Sequence, residues 1–160
     1  NALIENIVTG CTTVFNDSLR QMVSASIPEH ATMHDRWMYL AAACFGKVYY
    51  DETPYIYYRQ HSSNAVGKNT GRLPELKYRI NKFKKDNQSS SRQALEFLKI
   101  FRTELGNRQD LKEKEKLLKL FIKGKKSRSA RKKLVNSGMI YRQRRLDNQI
   151  FKILVRMNLY

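Results

Sequence analysis

The chain has 160 residues, about one domain by length, and it is 41% hydrophobic and 28% charged, enough apolar material to exclude disorder throughout. The net charge is +17 and unevenly placed: residues 1–70 carry five Lys/Arg against six Asp/Glu (−1), and residues 71–160 carry 26 against 8 (+18). No apolar run reaches the ~18 residues that a membrane span needs, and Cys11 and Cys44 do not have metal-site spacing; both sit in apolar stretches and read as buried thiols.

In chain order, Ile7 to Phe15 is rich in Val, Thr, Ile and Cys and predicts a strand or strand-turn, with close backbone approach at Gly10. Asn16-Asp17 can cap a short helix carrying Leu19, Met22 and Val23. Ser26 to Glu29 is a loop. Met33 to Phe45 places Trp37, Leu40, Ala41 and Cys44 at helical spacing, with Gly46 where a helix ends. Lys47 to Asp51 and Tyr55 to Arg59 are aromatic and β-branched, so they predict two short strands around a turn at Glu52-Thr53-Pro54. His61 to Asn69 reads as a loop.

The character changes at Gly71. Pro74 suits a first helical turn, with Leu73, Leu76, Ile80 and Phe83 at three- and four-residue steps. Gln88 to Ser91 reads as a break. Apolar stripes then follow at Ala94/Leu98/Phe101/Leu105 and at Leu111/Leu117/Leu118/Phe121. Seven of the eleven residues from Lys123 to Lys133 are basic. The last segment places Leu146, Ile150, Ile153 and Leu154 on one face among Arg144, Arg145, Lys152 and Arg156. The expected fold class is therefore α/β over residues 1–70, with short strands and helices, followed by a mainly α-helical basic region over 71–160; helix dominates overall.

Three stretches carry residues suited to chemistry. Asp35, in Met33-His34-Asp35-Arg36-Trp37, falls in a helical first turn, where the positive helix end favours a carboxylate. Such a group suits a general base, and it equally suits a plain cap. His61, in Tyr58-Arg59-Gln60-His61, follows a predicted strand beside an arginine and can serve a metal or a phosphate, or simply hydrogen-bond at the surface. Gly10, in Thr9-Gly10-Cys11-Thr12, allows a ligand near the backbone or marks a bulge.

The order of these stretches adds a further reading. Thr9 to Asn16, Met33 to Trp37, Phe45 to Val48 and Tyr58 to Gly67 together resemble family 2 glycosyltransferases, rhamnosyltransferase-like members that build bacterial surface polysaccharide such as capsule. The resemblance covers residues 7–67. It implies the C-terminal, acceptor-side portion of a GT-A domain, with the nucleotide-binding half upstream, so that the N-terminus reads as a cut inside a longer protein. It implies an inverting enzyme in which Asp35 is the base, His34 shapes the site, and Gly10 and Cys11 line the donor sugar and acceptor. It also implies that Arg59 and Gln60 lie near the diphosphate, and that His61 can join a Mg²⁺ or Mn²⁺ ion. Arg36 stands where many relatives have a second tryptophan beside Trp37, a change that would alter acceptor preference; Ser62 stands where many have glycine. No Asp-x-Asp motif occurs in the chain, so these residues alone are expected to be inactive. The implied partners are a nucleotide-sugar donor and a saccharide or lipid-linked acceptor.

The basic region requires an anionic partner or a solvated surface. Its last segment suits an interfacial helix; together with the resemblance, this implies a cytoplasmic protein, peripheral at the inner face of a bacterial membrane and held through residues 123–160. The alternative is a nucleic-acid-binding or helical interaction module without catalysis. Against nucleic acid, the aromatic residues Tyr49, Tyr50, Tyr57 and Tyr58 lie away from the basic run, and no recognition-module signature is present.

Overall fold

The computed structural model describes residues 1–57, 59 and 90–160. Among them every regular element is helical and no strand occurs. The expected α/β fold class of residues 1–70 is thus overturned: no strand forms at Ile7–Phe15, at Lys47–Asp51 or over the described part of Tyr55–Arg59.

Local side-chain bonds explain the loss. Over Ile7–Phe15, the Asn6 amide brackets Val8, donating to its carbonyl at 3.1 Å and accepting from its N–H at 3.2 Å. The hydroxyls of Thr12 and Thr13 both donate to the Thr9 carbonyl, at 3.0 and 2.8 Å. Gly10–Thr12 closes as one 3₁₀ turn. Short polar side chains here offer the backbone partners that a sheet would otherwise supply. Farther on, Asp51 accepts from the Thr53 N–H and from the Tyr55 hydroxyl, each at 2.9 Å. The flanking chain takes no regular structure and pairs with no strand among the described residues, and Tyr49, Tyr50, Tyr55 and Tyr57 are exposed. Residue 58, within the expected strand Tyr55–Arg59, lies outside the described residues.

The helices follow their sequence signals more closely. Helix α1 spans Asp17–Ser24; the Asn16 side chain caps it by accepting from the Leu19 N–H at 3.0 Å. Helix α2 spans His34–Phe45 and ends at Gly46. Its last carbonyls are met by cations. Lys114 Nζ donates to the Ala43 and Cys44 carbonyls at 3.1 and 2.7 Å, and Arg108 Nη1 to that of Phe45 at 3.5 Å. Positive charge at that end also suits the helix dipole.

Residues 90–100 form α3, and a turn at Phe101 separates it from α4 (Arg102–Asn107). Ser90 and Ser91 are therefore helical and buried, where the sequence suggested a break. The 3₁₀ turn Gln109–Leu111 leads into α5 (Lys112–Gly124). Helix α6 spans Arg128–Asn136, with the Ser127 hydroxyl accepting from the Ala130 N–H. Helix α7 spans Arg145–Arg156. Helix α6 packs on both α5 and α7, and α1 packs on α2.

One apolar core draws on both the near-neutral and the basic parts of the chain. It joins Ala2 and Ile4, the Trp37/Leu40/Ala41/Cys44 face of α2, Phe97 and Phe101, and the inner faces of α5 and α6. Its centre is aromatic. Trp37 meets Phe97 edge-on at 5.4 Å, Phe97 meets Phe101 at 4.7 Å, and Phe45 meets Phe101 at 5.1 Å between ring centroids. Such pairs contribute about 0.5–1.5 kcal/mol each beyond their area.

Hydrogen bonds between side chains and backbone from the C-terminal half fix the N-terminal residues. Arg142 Nη2 donates to the Ile4 carbonyl at 2.7 Å, and the Gln143 N–H donates to the Glu5 carboxylate at 3.1 Å.

Candidate functional site

The start of α2 meets the 3₁₀ turn at Gly10, 24 residues earlier in the chain. A Cβ placed on Gly10 would lie 2.8 Å from Nε2 of His34 and 3.7 Å from Cβ of Asp35. The absence of a side chain at position 10 is what lets the turn approach so closely. The imidazole of His34 is exposed, as is Cys11 beside Gly10. The expectation of two buried thiols thus holds for Cys44 alone. Cys11 is exposed because its segment turns as a 3₁₀ helix instead of entering a sheet.

Asp35 is only 4% exposed. Its Oδ1 accepts from the N–H of Arg36 at 2.6 Å, which fixes the carboxylate at the helix end. That leaves further lone pairs on the carboxylate for a second donor. No other acidic side chain occupies the first turn of α2.

Arg36 and Trp37 turn into the body of the protein. The Arg36 guanidinium donates through Nη2 to the Leu3 carbonyl at 3.2 Å and to the Ser90 hydroxyl at 2.5 Å. It thereby links the N-terminal turn, α2 and α3. Trp37 is buried among Phe97 and Phe101. The two residues hold the start of α2 in place from behind.

Sequence reasoning missed several residues that shape this end of the molecule. Glu96 on α3 accepts from the backbone N–H groups of Glu29 and His30, at 2.6 and 2.8 Å. It fixes the loop that leads into α2. Gln93 meets Thr32 at 3.5 Å, and Ser90 receives Arg36. The only available signal was a polar trio, Ser90, Gln93 and Glu96, at three-residue steps on one helical face.

Arg59 is exposed, and Gln60 and His61 lie outside the described residues. The metal expectation rests on His61 and on ligands beyond these residues. Among the described residues no three His, Cys, Asp or Glu side chains gather into a metal site. At the other end of α2, burial pushes the Cys44 thiol up to about 11, opposed by the nearby Lys114 and Arg108. That thiol is structural. Among the described residues, no helix is long and apolar enough to cross a membrane.

No protein-family model matches the chain, and neither a characterised protein nor a solved structure matches it at a significant level.

Proposed function

We propose that these residues form the acceptor-side part of an inverting glycosyltransferase that acts in bacterial surface polysaccharide synthesis, with Asp35 as its general base. The observation that supports this most is the meeting of Gly10, His34 and Asp35 at the start of α2. Two stretches singled out for their chemistry, far apart in sequence, converge on one carboxylate held at a helix end. Burial keeps most of that carboxylate from bulk water, which suits a base reserved for one hydroxyl.

In this mechanism the acceptor hydroxyl binds beside the exposed His34 and Cys11. Asp35 takes its proton as the oxygen attacks the anomeric carbon. The bond to the nucleotide diphosphate breaks on the opposite face, so the configuration inverts. The Asp35–Arg36 hydrogen bond fixes the direction from which the proton is accepted. A Mg²⁺ or Mn²⁺ ion, when bound, supplies charge neutralisation to the leaving diphosphate through ligands that the described residues do not include. No Asp-x-Asp motif lies within these 160 residues, so this reading requires a donor-binding part supplied by other sequence.

The test is to supply nucleotide-sugar donors, with Mg²⁺ or Mn²⁺, to the polypeptide that joins this chain to its donor-binding part. The anomeric configuration of the product is then read by proton NMR. The proposal expects inversion; a retained configuration would remove the single-displacement mechanism. One observation favours a second reading, a helical interaction module without catalysis: the described residues contain helices alone. That reading expects no turnover with any donor from a folded protein.

A further inference from the structure

The outer face of α7 differs from what its sequence suggests. At about 100° per residue, Leu146, Ile150, Ile153 and Met157 fall within about 60° of one another. Leu146 and Ile153 are each 52% exposed and Met157 is 63% exposed, while Ile150 is half-buried. Leu154, which sequence periodicity placed with them, instead packs inward with Phe151 and Val155. The exposed stripe is thus a second apolar face, distinct from the one that holds α7 to the protein.

Basic side chains flank it. Arg145, Lys152 and Arg156 form a row about 110° round the helix from the stripe. Arg144 precedes the helix and is exposed. Across residues 123–160 there are twelve Lys/Arg and one acid, Asp147. Asp147 is buried, so the acid of this segment is turned away from solvent while Arg144, Arg145 and Arg156 are exposed.

We infer that α7 docks in plane on an anionic lipid surface, with Leu146, Ile150, Ile153 and Met157 entering the boundary between headgroups and acyl chains. Arg145, Lys152 and Arg156 then meet the phosphates alongside. An aliphatic stripe beside a cationic row matches a bilayer interface, which offers apolar depth next to negative charge. Nucleic acid offers the charge but no place for four aliphatic side chains, and no aromatic residue stands in the stripe to stack on bases. This inference does not rest on the catalytic proposal.

The experiment is co-sedimentation of the chain with vesicles at physiological salt. One set is phosphatidylcholine alone, and the other is equal parts phosphatidylcholine and phosphatidylglycerol. Binding is expected to the mixed vesicles only. Arg145→Gln and Arg156→Gln should each weaken it about fivefold. Leu146→Ser with Ile153→Ser should weaken it about tenfold, with unchanged circular dichroism because both side chains are half in solvent. Should the double variant lose helix content, Ile153→Ser alone carries the comparison. Serine variants that bind as tightly as the parent chain would overturn the inference, since charge alone would then suffice. Equal binding to both vesicle sets, or binding to duplex DNA but to neither set, would also overturn it.

Discussion

Gly10 and Gly124 both stand where a methyl group would collide with a neighbour, yet the two collisions differ in kind. At Gly10 the obstacle is the exposed tip of His34, which can swing away. Gly10→Ala should therefore leave thermal stability within about 1 kcal/mol. It should also shift the NMR resonances of the His34 ring and, if the catalytic proposal holds, lower sugar transfer. At Gly124 the obstacle is the buried hydroxyl of Tyr160, which donates to the Phe121 carbonyl at 2.9 Å. Gly124→Ala must push that ring out of the core and should cost about 1–3 kcal/mol in urea unfolding. The two thiols separate in a similar way. A thiol reagent at neutral pH should label exposed Cys11 quickly and leave Cys44, buried with its thiol pushed up to about 11, unreacted until the protein unfolds. At this scale Gly10 and Asp35 stood out by type, a glycine in an apolar run and an acid in a first helical turn, whereas His34 entered only with the family resemblance. Arg36 bonding to Ser90 was not legible. The two are 54 residues apart, and a serine run carries the composition of a loop.

Helix ends were the most legible elements, because capping chemistry is local. Asn16 caps α1 and Gly46 ends α2 where their residue types predict. Asn16→Ala should cost about 1 kcal/mol. The expected strands are absent among the described residues for a reason that composition does not reveal. Val, Thr and Tyr favour a pleated surface only when a partner strand supplies one. Here Asn6, Thr12, Thr13 and Asp51 tie the backbone locally instead. The junction of α5 with the chain's last residues yields a prediction in pH. Burial pushes the Tyr160 phenol from 10.0 up to about 12, with the nearby Arg131 opposing. A raised folded-state value means that this contribution is complete below pH 10 and is lost as the pH rises from 10 towards 12. Stability should therefore fall across that window, and Tyr160→Phe should flatten the fall while lowering stability at neutral pH.

For the molecule as a whole, the sequence divides by charge, whereas the core does not. Trp37, from the near-neutral part, packs on Phe97 and Phe101 from the basic part, and Arg142 reaches back to Ile4. Unfolding in urea should therefore proceed as one transition, with tryptophan fluorescence and circular dichroism coinciding. Trp37→Ala should destabilise by about 3–5 kcal/mol. Charge asymmetry was legible from residue counts, but the way it is used depends on burial. Only the structure separates the inward face of α7, with Phe151, Leu154 and Val155, from the outward one.

The measurement that bears most directly on the central proposal is the rate of sugar transfer, by the chain joined to the donor-binding part that the proposal requires, with and without Asp35→Asn. The substitution keeps the side chain's shape and an oxygen able to accept from the Arg36 N–H, so the fold and nucleotide affinity should persist. The account predicts a loss of about 10²–10⁴ in rate. Transfer at the parent rate by the Asn variant would contradict it.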